Sequence, residues 1–295
     1  MAEQDGSILA QSLDECWKRY RKTFRAAKSI LTEKWVHDLR VALRRLDAVL
    51  DLTGMFLPHS HTVKVRRSLK RLVKHLSSLR DIQVQQRLVA DLTKTYPELL
   101  KFQKHLVKQE RVQIRALKKT VRRKHEKLAN EFTKTFFQSR NLLRTFTPAE
   151  TEQMIIGAVN KAYGTAIDAK RATESQDTSA IHAMRIAFRK FRYTVESAQP
   201  FLHDIPETVL ARMQNFQNLM GNIQDVDVLF DTLARWGSKR GKRTRQKLAP
   251  IYQVVAQRRR SCIDEFVGEV DEIDSFWKFQ SVEKRGPPVP FRSIR

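Results

Sequence analysis

VHDLRVALRRLDAVL, residues 36–50, and IHAMRIAFRKFRYTV, residues 181–195, are two versions of one pattern. Each carries His-x-x-Arg-x-x-x-Arg, at His37, Arg40 and Arg44 and again at His182, Arg185 and Arg189, 145 residues further on. The match extends to the apolar positions, where Leu39, Val41, Leu43 and Leu46 answer Met184, Ile186, Phe188 and Phe191. A repeat held at that period is an internal duplication, and it sets the frame for every other element.

At about 100° per residue, with the histidine at zero, the two arginines fall near 300° and 340°. Leu39, Ala42, Leu43, Leu46 and Leu50 gather between roughly 140° and 240°, as do Met184, Ala187, Phe188, Phe191 and Val195. One face therefore packs into a bundle. The other presents His, Arg and Arg over about 10 Å of helix. A solvated face needs no such order, so the same three residues at the same angles twice point to a shared ligand.

Helix is also what the composition favours: 9 Gly and 9 Pro in 295 residues, between long Leu/Lys/Arg/Gln runs. Turn signals divide the chain into helices near 7–28, 32–55, 61–93 and 97–140, then 148–172, 178–202, 206–236 and 243–272. Thr147-Pro148-Ala149-Glu150 combines an N-cap, a proline at N1 and a capping-box acid, and marks the boundary between halves. Val65, Leu69, Leu72, Leu76 and Leu79 in the third helix are matched by Val209, Met213, Phe216, Met220 and Ile223, and both runs reach an aspartate, Asp81 or Asp225. These aspartates read as N-caps or as carboxylates that orient a signature arginine. The expected architecture is all-α: two tandem four-helix bundles related by duplication, residues 7–145 and 146–275. A basic, proline-containing tail at 276–295 is expected to be extended or disordered.

The formal charge of +24 demands a polyanionic partner, because self-repulsion on this scale needs neutralising. Residues 1–147 contribute 33 Lys/Arg against 14 Asp/Glu, and residues 148–295 contribute 23 against 18, so the first half carries most of the field. Arg67, Lys70, Arg71 and Lys74 charge the third helix, whose counterpart has Ala211, Gln214, Asn215 and Asn218. The fourth helix bears a stripe of Lys101, Lys104, Lys108, Arg111, Arg115, Lys118 and Arg122, where solvated helices normally alternate charge. Arginine suits phosphate because its planar fork donates two charge-assisted hydrogen bonds at once, and histidine adds a donor that charges near neutral pH.

Other chemistries find less support. His37-Asp38 is the dipeptide of metal-dependent phosphohydrolases, but the repeat has His182-Ala183 and further ligands are missing. Phosphate loops, nucleophile triads and zinc spacings are absent, and Cys16 and Cys262 form no metal or disulfide pattern. No apolar run approaches the ~18 residues of a membrane span, and MAEQDGS at the start lacks a basic signal region, so a cytoplasmic protein is expected. Nucleic acid is the serious competitor to an inorganic polyanion, as a nonspecific RNA or DNA binder. Phe24, Phe102, Phe188, Phe191 and Phe216 sit at core spacings, and Tyr193 is the one aromatic placed to stack on a ligand.

HDLRVALRRL and HAMRIAFRKFRY, followed some 40 residues later by SLRDIQV and GNIQDVDV, resemble the CHAD family, the conserved histidine α-helical domain. The resemblance covers residues 7–275 approximately. It implies two four-helix bundles with pseudo-twofold symmetry around a basic central cavity that binds inorganic polyphosphate. It also implies a non-catalytic, cofactor-free and metal-free stand-alone module, associated with polyphosphate granules. The site would comprise His37, Arg40, Arg44, Arg45, His182, Arg185, Arg189, Lys190 and Arg192, with Lys70 and Lys74 beside the first aspartate motif. Arg111 and Arg115 of the fourth-helix stripe are added as reinforcing contacts. The first copy has Asp47 where the second has Arg192, and Gln83 where the second has Asp227.

Overall fold

In the computed structural model, residues 5–26, 31–175, 177–202 and 205–279 are described, and among them the chain is helical with no strand. The helices are α1 Asp5–Ala26, α2 Glu33–Thr53, α3 His59–Thr93, α4 Leu100–Leu143, α5 Pro148–Arg171, α6 Thr178–Ala198, α7 Glu207–Ser238 and α8 Lys242–Glu269. Short polar side chains set several starts. Thr32 accepts the Trp35 N–H at 3.1 Å, and Asp177 accepts that of Ser179 at 3.2 Å. Thr147 and Glu150 close the capping box, with the Glu150 N–H donating to the Thr147 hydroxyl at 3.3 Å and the Thr147 N–H to the Glu150 carboxylate at 2.9 Å.

Several boundaries differ from expectation, among them the end of the helix expected at 178–202, where α6 stops at Ala198 and Gln199–Phe201 is a 3₁₀ turn. Pro97–Leu99 forms a separate 3₁₀ turn before α4, and α8 gives way to a 3₁₀ segment at Val270–Ser275. Packed structure also passes residue 275. Phe276 and Trp277 are buried, and the Trp277 indole N–H donates to Asn160 at 2.8 Å. Two aromatics cannot be left in water when α5 and α7 offer an apolar seat. Residues 280–295, the rest of the expected tail, lie outside the described residues.

Consecutive helices pair as α1–α2, α3–α4, α5–α6 and α7–α8, with α2 on α3 and α6 on α7. Across the boundary α2 packs on α6, and α3 on α7. The larger apolar core runs through both halves without a break, from Leu39, Leu43 and Leu46 to Met184, Phe188 and Phe216. A second core joins Val84, Leu88 and Val89 of α3 and Phe102 and Leu106 of α4 to Leu229, Leu233 and Trp236 of α7 and Ile251 of α8. Each core therefore crosses the boundary near residue 146, unlike a pair of separately buried bundles. Length is the reason. α3 and α4 have 35 and 44 residues against 22 and 21 in α1 and α2, so the longer hairpin overhangs its partner and is covered by the overhang of α7–α8.

Candidate functional site

The meeting of α2 with α6 is fixed by reciprocal ion pairs. Arg45 Nε donates to Glu196 at 3.1 Å, and Lys190 approaches Asp51 at 3.4 Å. Arg45 and Lys190 occupy equivalent positions of the repeat, as do Asp51 and Glu196, 145 residues apart. Arg192 also bonds Glu196, donates to Gln217 at 3.0 Å and lies over the Tyr193 ring at 4.3 Å. Its side chain is only 4% exposed. Arg45 and Arg192, expected on the ligand face, are thus joined to Glu196 at the helix contact, and Arg192 is sealed there. Tyr193 is buried beneath a guanidinium instead of being free to stack on a ligand. The resemblance supplied Arg45 and Arg192 by their place in the motif, which does not include the neighbouring helix that covers them.

What this crossing gathers is a group of arginines with few counterions. The repulsive field of Arg44 reaches Arg40, Arg185 and Arg189, so the basic faces of the two halves share one site. Burial first, then Arg44, pushes the Arg40 and Arg189 guanidiniums down to about 10 and lowers Arg185 as well. Among the described residues, no carboxylate lies within the 4.0 Å of an ion pair from Arg40, Arg44, Arg185 or Arg189. Arg40 donates to the Ser77 hydroxyl, while the buried Arg185 Nε has no acceptor at all. An unpaired buried donor is costly, and a charged one more so. A phosphate oxygen is the kind of acceptor that would satisfy it.

Asp81 and Asp225 lie in mid-helix, which removes the N-cap reading. Desolvation raises both carboxyls above their ordinary range, against the pull of Arg40 and Arg185 on Asp81 and of Arg185 and Arg80 on Asp225. They face the arginines without neutralising them by direct contact. Arg80 belongs to this group too. It bonds Glu33 at 2.5 Å and acts on His37, Arg40 and both aspartates, yet the helix pattern did not single it out. The signal was present as a basic residue immediately before the first aspartate.

His37 and His182 are exposed at the margins. Burial of its surroundings, then Arg80, lowers the His37 imidazole. His182 Nδ1 is hydrogen-bonded to Gln224. Lys70 and Lys74 are exposed on the face of α3 that includes Ser77, about 10 Å and 5 Å along the axis from it. Arg66 on the next turn binds Asp47 at 3.0 Å and Asp51 at 2.5 Å, which places the lysines opposite the Arg40–Asp47 stretch of α2. Asp47 shortens the first basic face because it serves this pair.

Arg111 and Arg115 are not brought to the arginine group. They line a separate concavity of 560 Å³ along α4 with Lys104 and Lys108, and α4 packs on α3 and α1. A further concavity of 350 Å³, of mixed polarity and lined by Glu152, Phe201, Leu202, Trp277 and Lys278 among others, includes none of the signature residues. Among the described residues no group of three or more His, Cys, Asp or Glu is placed to hold a metal ion. No described helix is long and apolar enough to cross a membrane.

No curated protein matches the chain. By structure it is similar to the CHAD domain from the plant Ricinus communis, with a TM-score of 0.60 at 16% identity over 92% of this chain and 90% of that one. It is also similar to PptA from Streptomyces chartreusis, with a TM-score of 0.61 at 14% identity over 89% of this chain and 98% of that one. At such identities the likeness concerns the fold. The family pattern of the CHAD domain matches residues 7–234, which include both His-Arg-Arg helices and both aspartate motifs, and the chain therefore belongs to the CHAD family.

Proposed function

We infer that this protein is a non-catalytic binding module for inorganic polyphosphate, held at the crossing of α2 and α6. The observation that carries the reading is the gathering of Arg40, Arg44, Arg185 and Arg189 without ion-paired carboxylates, beside a buried Arg185 donor that lacks an acceptor. A flexible chain of phosphates supplies many acceptors at short spacing and needs no base-reading groups. The buried state of Tyr193 takes away the one aromatic expected to stack on a ligand at this face. The reciprocal pairs Arg45–Glu196 and Lys190–Asp51 support a pseudo-twofold relation of the halves, with the ligand on or near the axis in a basic cleft. His37, His182, Lys70 and Lys74 extend that cleft outward. In the cell, such binding would recruit the protein to polyphosphate granules.

The deciding experiment is a competition titration at near-physiological salt. Labelled long-chain polyphosphate is bound, then challenged with RNA, DNA and heparin of equal charge. Persistence against a large excess of each supports a shaped site. Equal competition by all would make the +24 a generic field and nucleic acid the cellular ligand. Long incubation of polyphosphate with divalent metal, followed by assay for released phosphate, tests the non-catalytic part; product formation overturns it.

A further inference from the structure

KRGKRTRQK, residues 239–247, places six cations in nine residues at the turn from α7 into α8. Lys239, Arg240, Lys242, Arg243, Arg245 and Lys247 are all exposed, and none has an ion-paired acid among the described residues. The first turn of α8 contains no acidic residue, so Lys242, Arg243 and Arg245 sit where the helix dipole is itself positive. The α4 start adds to the field, since Arg240, Lys108 and Lys239 all depress the nearby His105 below its ordinary range after burial. Two like-charged segments, the start of α4 and the α7–α8 turn, would not be held together at one end of a fold by their own electrostatics. The second apolar core holds them there, with Trp236 beneath the Arg240 guanidinium at 4.6 Å.

This patch lies beyond the arginine group, at the far end of the paired α3–α4 and α7–α8 hairpins. From Asp225 to Lys239 is about 21 Å along α7 at 1.5 Å per residue. Arg87, exposed on α3, ion-paired with Glu33 at 3.6 Å and within the field of Asp225, stands between the two. We propose that the α7–α8 turn is a second anchoring point for the same polyphosphate strand, which runs from the arginine group past Arg87 to Lys239–Arg245. The protein thereby selects chain length: a strand too short to span both points is held by the arginine group alone. This rests on the polyphosphate reading above and adds to it a length threshold set by the hairpin overhang.

The test compares full-length wild type with Lys239→Gln/Lys242→Gln/Arg243→Gln/Arg245→Gln. Arg240 is left in place because it packs on Trp236. A control, Lys22→Gln/Lys119→Gln/Lys134→Gln/Lys161→Gln, removes equal charge from exposed positions elsewhere. Each is titrated with tripolyphosphate and with long-chain polyphosphate. The expected result is a loss of long-chain affinity of about 10-fold or more in the turn variant, with a shallower salt dependence, because fewer counterions are released. Tripolyphosphate affinity should be unchanged in the turn variant, and the control should retain long-chain binding. An equal loss in the control, no loss in the turn variant, or a loss for both ligand lengths overturns the proposal. Arg44→Gln/Arg189→Gln separates the two ideas. If it leaves binding intact, the arginine group is not the site, whereas an unchanged turn variant removes only the second anchor.

Discussion

Arg45 and Glu196, 151 residues apart in the chain, meet at 3.1 Å across the contact of α2 with α6. Glu196 also takes the buried Arg192, so one half-buried carboxylate neutralises an arginine from each half of the repeat. The pair separates two uses of arginine in this protein. Arg45 and Arg192 fasten the helices, while Arg40, Arg44, Arg185 and Arg189 are held close together with their charge unspent.

Glu196→Ala should therefore destabilise the protein by about 3 kcal/mol, because it strands the sealed Arg192 guanidinium as well as releasing Arg45. Lys190→Ala should cost less than about 1 kcal/mol, since its pair with Asp51 is largely solvated. Denaturant unfolding monitored by circular dichroism ranks the two; equal effects would remove the distinction between sealed and open pairs.

Arg44→Gln is expected to act in opposite directions on stability and binding. It relieves repulsion felt by Arg40, Arg185 and Arg189, and so should raise the stability of the free protein by up to about 1 kcal/mol. Polyphosphate affinity should fall in the same variant. Thermal unfolding with and without ligand reads both, and a destabilised variant would contradict the account of the site.

The pH dependence follows from His37. Burial and Arg80 hold its imidazole below the ordinary value of 6.5, so the unfolded chain takes up the proton more readily. The contribution of this group to the stability of the free protein is therefore lost as pH falls below 6.5. A bound polyanion favours the imidazolium and moves the group the other way. Affinity should rise as pH falls from above 7 towards 6, with proton uptake on binding, and His37→Gln should flatten that rise. Calorimetry in buffers of different ionisation enthalpy measures the uptake, and zero uptake would exclude His37 from the ligand's field.

Phe102→Ala probes the shared distal core. Phe102 is fully buried and rests on Trp236 with ring centroids 5.3 Å apart. Its truncation should cost about 3–5 kcal/mol. Amide exchange should speed up in α7 and α8 as well as in α3 and α4. Faster exchange confined to α3 and α4 would show that the halves bury their ends separately.

The helices and their faces were legible in the sequence because they depend on local terms. Thr147-Pro148-Ala149-Glu150 specifies its own cap, and the Leu39, Leu43, Leu46 period specifies its own buried side. The duplicated His-Arg-Arg spacing also identified Arg40, Arg44, Arg185 and Arg189 as members of one kind of surface. The sequence pattern did not single out KRGKRTRQK, because nothing local shows which part of the fold lies next to a turn.

Three matters were decided only by tertiary structure. Arg45 and Arg192 share the basic segments with the four open arginines, yet α6 supplies Glu196 as their common partner. Arg111 and Arg115 belong to a stripe as basic as any in the chain, but α4 lies against α3 and α1, away from the α2–α6 crossing. The apolar runs of α3 and α7 announce burial without saying against what, and the overhang of the long hairpins makes them cover each other. Sequence fixes the periodicity of a helix and the side chains it carries, because these depend on residues a few positions away. Whether a given charge is paired or left free for a ligand depends on a residue some 150 positions distant, which only the packing of the helices brings within reach.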